Sequence, residues 1–230
     1  MSALTDKVRS RGHWEIVVRP ATFIPDRVPY EHLDEIVPSI AVRMRGWPVP
    51  FADYGRDSVL RGKDWIGQDI DADMVSQYEA WRFFASGQFL HVRAVSADWR
   101  TGNEAAFVPP GCVTTIEVWE ILFYLTEVFE FAARLALGPA GDDRMVISAA
   151  LTPLNDRCLV IGQSNRMEFV QPFMSHIPSF CSEVELLRET LVADGRIAAA
   201  EMAREFFLRF GWKPSLDHLL DHQRELTEIA

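Results

Sequence analysis

Val113 to Leu137 reads VTTIEVWEILFYLTEVFEFAARLAL, the longest helical pattern in the chain, with no Gly or Pro inside it. Pro109-Pro110-Gly111 precedes it and Gly138-Pro139 follows it. These are start and stop signals, since Gly takes the C-cap conformation and Pro cannot continue a helix. At about 3.6 residues per turn, Val118, Leu122, Leu125, Phe129, Ala132 and Ala136 share one apolar arc. Glu120, Glu127 and Arg134 share the opposite arc, flanked by Glu117 and Glu130. Phe123, Tyr124 and Phe131 lie on that second arc too, so this side is expected to be partly covered. The acids have two readings. They meet water and Arg134, with Glu130 and Arg134 spaced for an ion pair one turn apart, or they face a basic sheet surface across a polar cleft. A di-metal carboxylate site needs a Glu-x-x-His pair, and this helix has no His.

Working outward, the flanking sequence alternates like strands. His13–Arg19 places Trp14, Ile16 and Val18 against Glu15, Val17 and Arg19, and Pro20 ends it. Tyr30–Val37 reads as a short helix closed by Pro38. Ile40–Arg45 is a strand with Arg43 and Arg45 on one face, and Asp64–Asp71 is a further short strand. Gln77–Trp99 is the clearest hairpin, turning at Ser86-Gly87-Gln88. In it Glu79, Trp81 and Phe83 share a face, as do Phe89, His91 and Arg93, while Leu90, Val92 and Ala94 look like core. Arg144–Leu151 and Arg157–Gly162 read as a second strand pair, and 169–180 is ambiguous. Three helices are expected at Ser182–Val192, Gly195–Phe210 and Ser215–Ile229, with Asp194 and Ser215 as N-caps. The fold class is therefore α/β of the α+β kind: an antiparallel sheet of hairpins on one long helix. One domain is expected over 1–230, with sheet and central helix in 1–165 and a helical segment in 182–230.

At 230 residues a full core is available without staples, because such chains bury about three-quarters of their unfolded surface. The net charge of −10 argues against direct nucleic-acid binding, which needs a basic footprint. The last helices are acidic, which opposes insertion into a major groove. Cys112, Cys158 and Cys181 are few, far apart and lack CxxC spacing, so neither a disulfide framework nor a zinc site is expected, and a reducing cytoplasm fits. The N-terminal MSALTDKVRSRG has no apolar core of a signal peptide. No run reaches about 18 apolar residues, so no membrane span is expected.

Chemistry has few carriers. Residues 51–63 lack both phosphate-cradling glycine spacings. Asp69, Asp71 and Asp73 lack the Gly and distal Glu of a calcium loop. No Gly-x-Ser-x-Gly elbow is present. His218 and His222 stand one turn apart, but Leu219 breaks the His-Glu-x-x-His pattern, and they read as solvent-facing. His176 is read no differently. The most suggestive set is the strand cations Arg43, Arg45, Arg82, His91 and Arg93, with Glu120 and Glu127 as the nearest acids. Internal ion pairs are the first reading, because an unpaired buried charge is very costly. An anionic ligand gripped by arginine forks is the second, and ordinary surface charge the third. No catalytic residue, metal or cofactor is assigned.

Arg45-Gly46-Trp47, Asp64-Trp65-Ile66-Gly67, the Trp81–Phe89 hairpin and residues 125–134 resemble a bacterial domain that follows Schlafen-like AlbA DNA-binding domains. The likeness spans roughly residues 12–137 and rests on aromatic and small residues. It implies a sensor or accessory module of bacterial regulation or defence. No AlbA-like segment is expected ahead of it, so DNA binding would come from a partner. The expected function is a non-enzymatic protein-interaction or ligand-sensing module, with a protein partner or homo-oligomer. Trp47, Trp65, Trp81, Trp99 and Trp119 are its candidate anchors. The alternative is an enzyme acting on a nucleotide or other phosphorylated small molecule through the Arg/Glu cleft.

Overall fold

β-branched and aromatic runs with a period of two build one large sheet, and the computed structural model shows how it is ordered. Residues 2–52, 58–102, 107–162 and 167–228 are described. A short helix α1 (Ala3–Arg9), which periodicity did not signal, leads into β1 (His13–Pro20). Then come α2 (Leu33–Ile40), β2 (Val42–Arg45), β3 (Trp47–Val49), β4 (Leu60–Arg61), β5 (Trp65–Ala72), β6 (Gln77–Phe84) and β7 (Phe89–Ala94). The second half holds β8 (Thr114–Glu117), α3 (Val118–Leu137), β9 (Arg144–Thr152), β10 (Arg157–Val160), β11 (Phe173–Met174), β12 (Phe180–Leu187), α4 (Arg188–Arg209) and α5 (Leu216–Glu228). The main sheet runs β12-β9-β1-β7-β6-β5-β4, with every pair antiparallel. β11, β10 and β8 make a small sheet, and β2 pairs with β3. The antiparallel α+β architecture read from the sequence is the observed one. The loop expected at 51–63 and the one before the long helix lie partly outside the described residues, as does Ile229.

α3 is the centre. Trp14, Ile16 and Val18 of β1 are buried beneath it, and Phe129, Ala132 and Ala136 are buried in the same core. Both of its arcs are covered. Phe131 packs on Phe89 with ring centroids 4.5 Å apart, so the aromatic arc faces the sheet. Only the end of that arc reaches water, where Arg134 Nε donates to Glu130 Oε1 at 3.0 Å. The helix starts at Val118, not Val113. Val113-Thr114-Thr115-Ile116 is a β-branched run, which favours a pleated conformation, and β8 forms from it alongside β10. At the other end Gly138 is extended (φ −92°, ψ 179°) instead of left-handed, because Pro139 restricts the residue before it.

Four further expectations are corrected. Residues 182–187 are strand, so the C-terminal segment is not wholly helical. FCSEVELL alternates inward Phe180, Ser182, Val184 and Leu186 with exposed neighbours, and β12 pairs with β9 along its length. β9 and β10 do not pair; they belong to different sheets. α2 runs two residues past Pro38, which sits inside its last turn. Cys112 and Cys158 form a disulfide, with Cα atoms 5.8 Å apart, tying the approach to β8 onto β10. Distant sequence positions concealed that closeness. Asp194 does mark a junction, the kink inside α4, and Ser215 Oγ accepts from the His218 N–H at 3.2 Å as a cap. Among the described residues, no helix is long and apolar enough to cross a membrane.

Candidate functional site

The hairpin register brings polar groups under α3. Ser86-Gly87-Gln88 turns the chain so that Glu79 opposes Arg93 and Trp81 opposes His91. The face carrying Phe89, His91 and Arg93 is the one beneath α3, so the expected core face is inverted. Leu90 and Val92 on the other face are half-buried. Ala94 is buried there in a small cluster with Leu4, Val8 and Tyr78.

His91 stands between two buried groups. Its Nε2 lies 2.6 Å from Glu79 Oε2, and its Nδ1 lies 2.9 Å from the Tyr124 hydroxyl. The ring thus bridges the Glu79 carboxylate and the Tyr124 phenol through its two nitrogens. Phe51 N–H donates to the other Glu79 oxygen at 3.2 Å. Burial alone would raise the Glu79 carboxyl. The His91 hydrogen bond and the Arg93 charge more than offset it, and Glu79 is held below its ordinary value. Burial also pushes the Tyr124 phenol far up, so it stays protonated. Arg93 lies over the Tyr124 ring at 4.6 Å.

Two acids of α3 differ sharply. Glu127 is fully buried and accepts from Arg45 twice, Nε to Oε1 at 3.0 Å and Nη2 to Oε2. Glu120 accepts from the Ser96 N–H at 3.3 Å, while its Oε2 has no hydrogen-bond partner among the described residues, nor has Arg93 Nη1. Burial drives the Glu120 carboxyl upward, and Arg93 offsets this only in part. Five of the seven expected residues, Arg45, His91, Arg93, Glu120 and Glu127, thus gather between sheet and helix. Arg43 is exposed on β2. Arg82 is on the opposite sheet face, bound to Asp69 at 2.7 Å. Arg45 and Arg82 each hold one of the protein's own carboxylates, as the internal ion-pair reading has it.

Among the described residues, the other sheet face is only partly covered, by α1. A groove of about 570 Å³ lies between α1 and the β4–β5 edge. Ala80, Leu90 and Val92 form its floor, Thr5 and Arg9 one wall, and Leu60, Arg61 and Trp65 the other. Gly67 makes room for Arg82 across β5: a Cβ there would sit 2.5 Å from Arg82 Cδ. Arg82 in turn covers the Trp65 ring at 5.1 Å. Each rim arginine holds an acid, Arg9 with Glu15 at 2.8 Å, Arg61 with Asp34 at 2.6 Å and Arg82 with Asp69. Arg82 also donates to the Gln68 and Trp81 carbonyls through Nη1, whereas a guanidinium has five N–H donors and the half-exposed Arg61 can take a second anion. Of the five tryptophans expected as anchors, Trp81 and Trp119 are core, Trp47 stacks on Phe51, and Trp99 packs on Tyr78. Trp65 alone among them faces this groove.

Sequence reasoning missed Glu79 and Tyr124. The turn position could have found Glu79, since counting back from Ser86-Gly87-Gln88 sets it opposite Arg93. It also missed Arg157, fully buried, whose guanidinium meets both Asp98 oxygens at 2.9 and 2.7 Å and two backbone carbonyls. No local signal marks that pair, 59 residues apart. No protein-family model, curated protein or solved structure matches the chain.

Proposed function

We propose that the chain is a non-enzymatic binding module whose ligand site is the groove on the partly open sheet face. The occupant is a small amphipathic molecule with an apolar body and an anionic end. The observation that carries this is the groove itself: an apolar floor of drug-sized volume with arginines at its rim. Within the polar cluster on the opposite face, Arg45 holds Glu127 and His91 holds Glu79, so these charges are matched internally. The resemblance to the AlbA-associated domain adds the setting, an accessory or sensor component of bacterial regulation or defence that passes its ligand state to a protein partner. The cytoplasmic expectation is weakened, because it rested on unpaired thiols and Cys112 and Cys158 are joined.

The test is titration with 8-anilinonaphthalene-1-sulfonate, a fused-ring body with one sulfonate. Saturable binding at one site per chain is expected. Leu90→Trp, which fills the floor from a half-buried position, should abolish it while leaving thermal unfolding unchanged. Equal binding by both forms removes the groove as the site.

A second reading keeps the phosphorylated-substrate enzyme, and one observation favours it: Arg93 Nη1 and Glu120 Oε2 lie buried without partners among the described residues. In that reading Glu127→Gln abolishes turnover and spares stability. In the internal ion-pair reading it costs stability.

A further inference from the structure

α5 carries a feature the groove does not use. His218 and His222 are one turn apart, so they share a helix face. They do not both face solvent. His222 is turned inward against Trp119, with ring centroids 4.6 Å apart and nearly perpendicular, and its side chain is 15% exposed. The two Nε2 atoms are hydrogen-bonded to each other at 3.1 Å, so one carries a proton that a metal ion would displace. His222 Nδ1 lies 3.2 Å from Glu225 Oε1. α5 itself is firmly seated. Leu219 is fully buried, and Gln223 Nε2 donates to Thr126 Oγ1 of α3 at 2.7 Å and to the Arg196 carbonyl at 3.0 Å. The pair therefore sits on a fixed scaffold at the mouth of a cavity of about 460 Å³, whose other walls include Trp119, Phe169, Trp212 and Met167.

We infer that this pair is a transition-metal site for a soft monovalent ion, Cu(I), held by both Nε2 atoms with the Met167 thioether as third donor. Two imidazole nitrogens each about 2.0–2.1 Å from one three-coordinate ion stand about 3.5 Å apart, so the rings need to part by only about 0.4 Å to admit it. Glu225 supplies the outer partner that metal-binding histidines require. It takes the Nδ1 proton of His222 and so points a lone pair out from Nε2. The choice of ion follows from the donor set. Among the described residues, no group of three or more His, Cys, Asp and Glu converges. That disfavours a closed zinc centre, while a thioether on the same cavity selects a soft ion. Met167, 88% exposed, lines the same cavity as both histidines and is the thioether assigned to the ion.

The experiment uses the untagged full chain in a Cys181→Ser background, because the exposed Cys181 thiol would compete. Cu(I) is titrated without oxygen, under ascorbate, against bicinchoninate, and Zn(II) is titrated separately. One Cu(I) per chain is expected, with quenching of tryptophan fluorescence. His218→Ala, at an exposed position, should abolish binding without moving the melting temperature. Glu225→Gln should weaken it about tenfold, and Met167→Leu should weaken Cu(I) while leaving Zn(II) unchanged. Stoichiometric binding that survives His218→Ala, no stoichiometric Cu(I), or a Cu(I) affinity indifferent to Met167→Leu each overturns the site as stated. Leu90→Trp in the groove should leave the titration untouched, so the two proposals fail separately.

Discussion

Arg157 shows what a buried charge requires. Its guanidinium is fully enclosed, and the Asp98 carboxylate that faces it also accepts from the Gly12 N–H at 2.7 Å. No side chain fits at Gly12, where a Cβ would lie 2.2 Å from Arg157 Nη2. Removing one partner strands the other, so Asp98→Ala should cost about 3–5 kcal/mol in urea unfolding. Burial raises the Asp98 carboxyl, but the Arg157 bridge more than reverses that, and its folded pKa lies below the ordinary value. The bridge's contribution is therefore complete above the unfolded carboxylate pKa and is lost as pH falls through the lower folded one. Asp98→Asn should lack that acid-side loss. Glu120 has the opposite sign. Its folded pKa is raised, so the stability it contributes is present at low pH and disappears as pH rises through the folded value. Glu120→Gln should accordingly be neutral or stabilising at alkaline pH. Glu127→Gln, which breaks a paired carboxylate, should cost about 1.5–3 kcal/mol at neutral pH. Equal costs for both variants would contradict the assignment of Glu127 as matched and Glu120 as strained.

At the scale of elements, the legible parts were those where one period ran without interruption. β1, the β6–β7 hairpin and the body of α3 were readable because burial on one face repeats every second residue or every turn. Residues 182–187 of β12 were read as helix because Val184, Leu187 and Leu191 also satisfy helical spacing, and only the pairing with β9 decides for strand. α1 is a single short helix of seven residues, below the length at which periodicity speaks. The disulfide joins residues 46 apart, a separation that spacing rules cannot see. Closing a loop of that length is worth up to about 4 kcal/mol through the unfolded state. Phosphine reduction, or Cys112→Ser with Cys158→Ser, should lower unfolding stability by that order. No change on reduction would mean that the two thiols are not joined in solution.

At the scale of the molecule, the sheet has one face committed to α3 and another left partly open. The candidate site was half legible. Strand alternation and the acidic arc of the helix set seven residues against one another; Arg45, His91, Arg93, Glu120 and Glu127 do gather under α3, while Arg43 and Arg82 lie elsewhere. Neither pattern could say whether they faced a ligand or each other, since that depends on how strands far apart in sequence are ordered. The groove was not legible at all, because it needs α1 and β4, two short elements, to stand on either side of β6 and β7. The claim that this groove is the working site is tested most directly by native mass spectrometry of the chain purified gently from its own host. A small-molecule mass increment on the unmodified chain that is missing from Leu90→Trp, yet kept when Glu120→Gln alters the opposite face, is the predicted result. An increment that survives Leu90→Trp would contradict it, and so would a chain that always carries its bare mass.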